Sequence, residues 1–212
     1  MQYDSVAGCA PPTVCSRNVV DEFVSEEEAR VLLGIAERGM QGSKTAETGG
    51  PTILDITSGY RMDTELINLH KPGPDAVAFS AMEYKVYATV FDRIRNTIVE
   101  HYGLEHLGFT APTFITRIVG KPSWEPAYVH DEYYHPHVDK NNTEHYDYSG
   151  LVYLSTYGED FQGGKFQFLD GATNHTVEPR RGRFSFFSAG QENLHRVNKV
   201  TEGTRFVMSM WW

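Results

Sequence analysis

No run in this 212-residue chain approaches eighteen apolar residues, so nothing in it reads as a membrane-spanning helix. The opening Met1-Gln2-Tyr3-Asp4 has neither the basic nor the apolar region of a signal peptide, which leaves two expectations: a cytosolic protein, or a chain without its leader. Basic residues are also in short supply. Nineteen lysines and arginines stand against 28 aspartates and glutamates, a net charge of −9, whereas binding to nucleic-acid backbones needs a basic surface. No nucleic-acid partner is expected. Cysteine is limited to Cys9 and Cys15, which would close a small disulfide loop in an oxidising compartment and remain two thiols elsewhere. No repeat or low-complexity segment is present.

What is there suits a globular domain: 40% hydrophobic and 13% aromatic residues over a length that one core can serve. Residues 1–20 read as an N-terminal extension and 21–212 as a single domain, with helical support over 21–103 and a β-rich core over 104–212. Ser25-Glu26-Glu27-Glu28 is a capping box, and Ala29, Leu32, Leu33 and Ala36 repeat at helical spacing until Gly39. Residues 40–74, rich in Gly, Thr and Pro, read as a long connection with one short strand at 52–56, a candidate lid. From Asp75 to Tyr102 the spacing of Phe79, Met82, Val86, Val90, Ile94 and Ile98 predicts a second, longer helix.

After Gly103 the pattern changes to short β-branched and aromatic runs at 113–119, 150–155, 165–169, 183–187 and 204–211. Gly163-Gly164 reads as a hairpin between two of them, and Pro179-Arg180-Arg181-Gly182 as a turn into the next. Helices first and strands second predict an α+β, mainly β architecture: a double-stranded β-helix, or jelly roll, flanked by N-terminal helices.

The chemistry lies in Tyr134-His135-Pro136-His137-Val138-Asp139 and in Glu192-Asn193-Leu194-His195. Two imidazoles and one carboxylate in the order His-x-Asp…His are the ligand set of a 2-His-1-carboxylate facial triad, which holds Fe(II) and leaves open positions for other ligands. A lone His-x-Asp says little in a chain with nine histidines. Its setting says more, because in an extended segment a spacing of two puts His137 and Asp139 on one face. Along the last strand Arg205, Val207, Ser209 and Trp211 share a side, which would present the Arg205 donor fork to a carboxylate. Zinc hydrolysis fits poorly: His135-x-His137-x-Asp139 begins like the metallo-β-lactamase motif, but Lys140 stands where its last histidine belongs. A cupin would need a glutamate where the chain has Asn141 and Asn142.

The ordered set Tyr134-x-x-His137-x-Asp139, Val152-Tyr153-Leu154, Gly163-Gly164-Lys165-Phe166, Pro179-x-x-Gly182-Arg183, then His195 followed by Gly203, Arg205 and Trp211, resembles the prolyl 4-hydroxylase type of Fe(II)- and 2-oxoglutarate-dependent dioxygenases. The resemblance implies that His137, Asp139 and His195 ligate iron, and that Arg205 pairs with the distal carboxylate of 2-oxoglutarate where many collagen-type enzymes use lysine. Tyr153 would hydrogen-bond the cosubstrate, with Ser209 beside it and Tyr134 lining the site. Fe(II), 2-oxoglutarate and O₂ are the implied cofactors, with ascorbate as an accessory reductant. The implied reaction is hydroxylation of a C–H bond in a protein or small-molecule substrate, with release of succinate and CO₂. Arg196 stands where a small residue is usual, which bears on the substrate. A catalytically silent binding module on the same jelly roll is the alternative, and the complete triad with Arg205 argues for the enzyme. Stretches such as His130-Asp131-Glu132-Tyr133 and Thr176-Val177-Glu178-Pro179 resemble one animal branch of the family. That branch implies the soluble part of a membrane-anchored protein, in the secretory-pathway lumen or outside the cell.

Overall fold

The computed structural model describes residues 15–108, 113–126, 132–171 and 173–212, so Cys9, His130 and Asp131 lie outside the described residues. The chain opens with β1 (Arg17–Val20), α1 (Glu26–Gly39), the single turn α2 (Thr45–Thr48), β2 (Gly50–Asp55), β3 (Tyr60–Met62), β4 (Leu66–Asn68) and α3 (Ala81–Tyr102). It continues with β5 (Phe114–Val119), α4 (Asp139–Asn142), β6 (Tyr148–Tyr153), β7 (Phe161–Gly163), β8 (Phe166–Phe168), β9 (His175–Val177), β10 (Phe184–Ser188), β11 (His195–Val197) and β12 (Val200–Trp211). The larger sheet runs β1-β10-β6-β12-β5-β2-β3-β4, with β7 also on β12, and the smaller runs β11-β8-β9; the pairings are antiparallel. This is the jelly-roll arrangement with helices on one side that the strand pattern predicts.

Period-two alternation divides the interior between two layers. Along β12 the even residues Phe206, Met208 and Met210, with Trp212 just after the strand, join Leu32, Ile35, Val90, Ile94 and Ile98 in the core between sheet and helices. The odd residue Val207 faces inward, with Tyr153, Phe166, Phe168 and Phe187. One strand thus anchors the helical support with one face and lines the jelly-roll interior with the other.

Several expectations are corrected. The long helix begins at Ala81, where Ser80 and Glu83 form a capping box; Phe79 is buried ahead of it, and Met82 is exposed. Residues 40–74 are not a loose connection: β2, β3 and β4 extend the large sheet beyond β5. β2 contains the short strand expected at 52–56, whereas β3 and β4, three residues each, are too short to show a period and take their hydrogen bonds from the neighbour they meet. Gly163-Gly164 is not a hairpin turn, because β7 pairs with β12 while β8 pairs with β11 and β9. Both glycines are left-handed, and the chain there passes from one sheet to the other. The last residues of the expected N-terminal extension pair with Phe184–Phe187 as an edge strand, and Cys15 just before them is disulfide-bonded.

The start of α1 carries a pH-dependent bond. Arg93 on α3 donates to both oxygens of Glu28, at 3.0 and 2.6 Å, and those bonds lead in holding the carboxyl at about 2 against an ordinary 4.5. A depressed carboxyl adds stability above its unfolded value and loses it as pH falls from about 4.5 to about 2. Glu28→Gln keeps the capping-box chemistry and should cost about 1 kcal/mol at pH 7, discounted because Arg93 is more than a third exposed, and nothing near pH 2. Urea midpoints of the two proteins at both pH values check this.

Candidate active site

His137 and His195 are brought together by backbone. The two residues exchange hydrogen bonds, His137 N to His195 O at 2.8 Å and His195 N to His137 O at 3.0 Å, an isolated antiparallel bridge that sets their ring centroids 4.4 Å apart. Each Nδ1 faces a carbonyl oxygen, His135 O at 3.1 Å for His137 and Asn193 O at 2.8 Å for His195. A carbonyl can only accept, so Nδ1 carries the hydrogen and Nε2 turns its lone pair inward. Asp139, the first residue of α4, is buried with its Oδ1 3.6 Å from His137 Nε2 and its Oδ2 3.8 Å from His195 Nε2. These separations are too long for hydrogen bonds and suit ligand atoms sharing one ion. The three ligand atoms lie within 4.8 Å of one another, the one such group among the described residues.

The surroundings hold this geometry. Ser149 donates to Asp139 Oδ2 at 2.6 Å from β6. Phe166 stacks on His195 at 4.9 Å, and Phe187 meets it edge-on at 5.1 Å. Burial lowers the His195 pKa against the opposing pull of Asp139, which keeps the ring in the neutral form a metal needs.

Along the same inner face of β12, Arg205 is 1% exposed. Among the described residues its Nε and Nη2 have no hydrogen-bond partner, and neither does the hydroxyl of Tyr153, whose ring centroid is 5.8 Å from the guanidinium carbon. Burial lowers the Arg205 pKa and pushes that of Tyr153 up to about 12, so the phenol keeps its hydrogen as a donor. Buried donors without acceptors cost several kcal/mol as a group, roughly 1–3 each. An anionic group entering between them would supply the missing acceptors. Gly164, at φ +58°, leaves the necessary room on the outside: a Cβ there would fall 3.1 Å from Arg205 Cδ and 2.9 Å from Phe161 and Val200.

Of the remaining sequence candidates, Ser209 is buried on the same face, opposite Leu151. Tyr134 is half-buried in an aromatic group, edge-on to Tyr133 at 5.3 Å and to Trp124 at 6.5 Å, with Lys199 Nζ 5.5 Å from its ring centroid. Its neighbour Tyr133, passed over in the sequence, is a second tyrosine, after Tyr153, that interacts electrostatically with Arg205; its hydroxyl accepts from Val200 N at 2.9 Å. Ser149 was also missed, and no local signal marks it.

The family model described as the 2OG-Fe(II) oxygenase superfamily matches residues 126–212. Human 2-oxoglutarate and iron-dependent oxygenase domain-containing protein 3 is 42% identical over 216 residues, covering 98% of this chain. This chain belongs to the 2OG-Fe(II) oxygenase superfamily. It spans about two thirds, 66%, of that human relative's length. Two solved structures share the superfamily fold. A viral collagen prolyl hydroxylase from Paramecium Bursaria Chlorella virus-1, with 2OG, matches at TM-score 0.58 and 17% identity, over 92% of this chain and 93% of its own. A prolyl hydroxylase from Trichoplax adhaerens in complex with a hypoxia inducible factor oxygen degradation domain peptide fragment matches at TM-score 0.60 and 14% identity, over 92% and 82%. These two likenesses establish the prolyl hydroxylase jelly roll as the fold.

Proposed function

We propose that this oxygenase-family chain is an active Fe(II)- and 2-oxoglutarate-dependent dioxygenase that hydroxylates a C–H bond of a protein substrate and releases succinate and CO₂. The observation that carries the reading is one interior holding both a His-Asp-His cluster, with Asp139 and His195 buried and His137 half-buried, and a buried arginine whose Nε and Nη2 lack acceptors among the described residues. His137 and His195 would hold iron through Nε2 and Asp139 through its carboxylate. Arg205 and the Tyr153 hydroxyl would take the distal carboxylate of 2-oxoglutarate, with Ser209 and Tyr134 along the walls. When bound, iron and 2-oxoglutarate supply the activation of O₂ and the oxidising power. The chain's own work is to fix both ends of the dicarboxylate, keep water from His195 with Phe166, Phe168 and Phe187, and orient the substrate.

A protein substrate is favoured by the peptide bound to the Trichoplax relative, and a secretory-pathway lumen or ectodomain setting by the disulfide at Cys15. Incubating the chain with Fe(II), 2-oxoglutarate, ascorbate and O₂ should give succinate, dependent on metal and oxygen. Candidate partners should gain about 16 Da, one oxygen atom, by mass spectrometry. Omitting ascorbate should slow successive turnovers. A protein that binds neither Fe(II) nor 2-oxoglutarate and forms no succinate would overturn the reading.

A further inference from the structure

We infer that Arg17 is a positioning residue for His195: it clamps the turn before β11, and so the peptide carbonyl that fixes the tautomer and aim of the imidazole. The inference rests on reading the triad as a metal centre. Arg17 lies on the edge strand β1, in sequence far from every ligand, yet it is 4% exposed and carries its charge into the interior. Its guanidinium carbon is 4.1 Å from the centroid of Phe168, a ring that also meets His195 edge-on at 6.2 Å.

From there the guanidinium makes four hydrogen bonds to described residues, in three directions. Nε donates to Asn193 Oδ1 at 2.6 Å, Nη2 donates to Glu192 O at 3.0 Å, and the two Nη atoms donate to the Asp170 carboxylate at 2.6 and 2.5 Å. The Asn193 side chain is caught from its other end as well, donating to Ser188 O at 2.6 Å and Ser188 Oγ at 3.1 Å. With its amide held at both ends, Asn193 presents its backbone carbonyl to His195 Nδ1 at 2.8 Å. The bond that decides which ring nitrogen stays bare is therefore set from β1, β10 and the β8–β9 connection together. Only a planar fork reaches all three acceptors at once, so lysine is no substitute. Among the described residues Arg17 makes no hydrogen bond to the His195 ring, and it sets the aim of that ring through residue 193.

Two measurements test this, one of them independent of any metal. Long-range ¹H–¹⁵N NMR of the metal-free protein should show His195 with its hydrogen on Nδ1, and Arg17→Gln should convert this to a mixture of tautomers. Co(II) titration should show affinity about tenfold weaker in Arg17→Gln, the usual scale for loss of a partner behind a ligating histidine. Arg17→Lys, the milder variant should glutamine fail to fold, keeps a charge for Asp170 and should show the same two losses. Asp170→Asn removes the ion pair but leaves the Asn193 and Glu192 contacts; it should lower the unfolding midpoint while changing Co(II) affinity less than about threefold. An unchanged tautomer in a folded Arg17 variant, or equal affinity losses in the Arg17 and Asp170 variants, would overturn the assignment. A parent protein that binds no Co(II) would count against the metal centre, and the tautomer comparison would still decide the role of Arg17.

Discussion

Asp139→Ala should abolish succinate formation, by a factor of about 1,000 or more, in a protein that stays folded. The carboxylate is the one anionic member of the triad. With the two imidazoles neutral, it alone offsets part of the charge of a divalent ion, and it contributes one of three ligand atoms lying within 4.8 Å of one another. Structurally it holds less. Its bond from Ser149 at 2.6 Å is the one side-chain hydrogen bond among the described residues that truncation loses, and the backbone exchange between His137 and His195 does not involve it. Loss of stability should stay within about 1–2 kcal/mol. Fe(II) or Co(II) titration with a thermal melt separates the two effects: metal binding and turnover lost with the melt nearly in place. A binding module without chemistry would keep its partner in this variant, so a captured substrate protein that Asp139→Ala still holds, with no succinate from either protein, would favour that alternative.

The candidate ligands were legible because metal chemistry restricts residue type, and because a spacing of two in extended chain puts side chains on one face. His137 and Asp139 satisfied the first, and the extended Val138 between them the second, although Asp139 itself opens α4. His195 was placed by its distance to Arg205, and the structure then showed the backbone bridge that no spacing encodes. The strand period of β12 was legible for a similar reason: Phe206, Met208 and Met210 are committed to the core under the helices, and Val207 between them to the jelly-roll interior. Residues 40–74 were opaque, since β3 and β4 are three residues long and their sheet membership depends on meeting β2, which itself depends on β5. Gly163-Gly164 announced two positive φ values and nothing about which strands would be paired on either side. The partners that aim the ligands, Ser149, Asn193 and Arg17, come from elements whose register exists only in the folded sheet. Asn193 stands two residues before His195, a spacing that became meaningful once Arg17 was found across from it.

Arg205→Met should weaken 2-oxoglutarate binding by about 2–3 kcal/mol, roughly 30- to 150-fold, with Fe(II) content little changed. The size follows from losing charge-assisted hydrogen bonds in an interior where water cannot replace them. The sign for the cosubstrate-free protein is the opposite of what a buried side chain ordinarily gives. Arg205 is fully buried with no acidic partner among the described residues, its Nε and Nη2 are unsatisfied among them, and burial already lowers its pKa. Replacing such a charge with an apolar side chain of similar length removes a desolvation cost, so the melting temperature without cosubstrate should hold or rise. Adding 2-oxoglutarate at 100 times the parent Kd should stabilise the parent by about 2.7 kcal/mol and the variant by well under half of that. Methionine is the better probe than alanine, because truncation beside Gly164 and Phe161 would open a cavity and confuse the two signs. Equal cosubstrate-induced shifts in the two proteins would show that another group anchors the dicarboxylate, with Tyr133 and Lys199 the next residues to substitute.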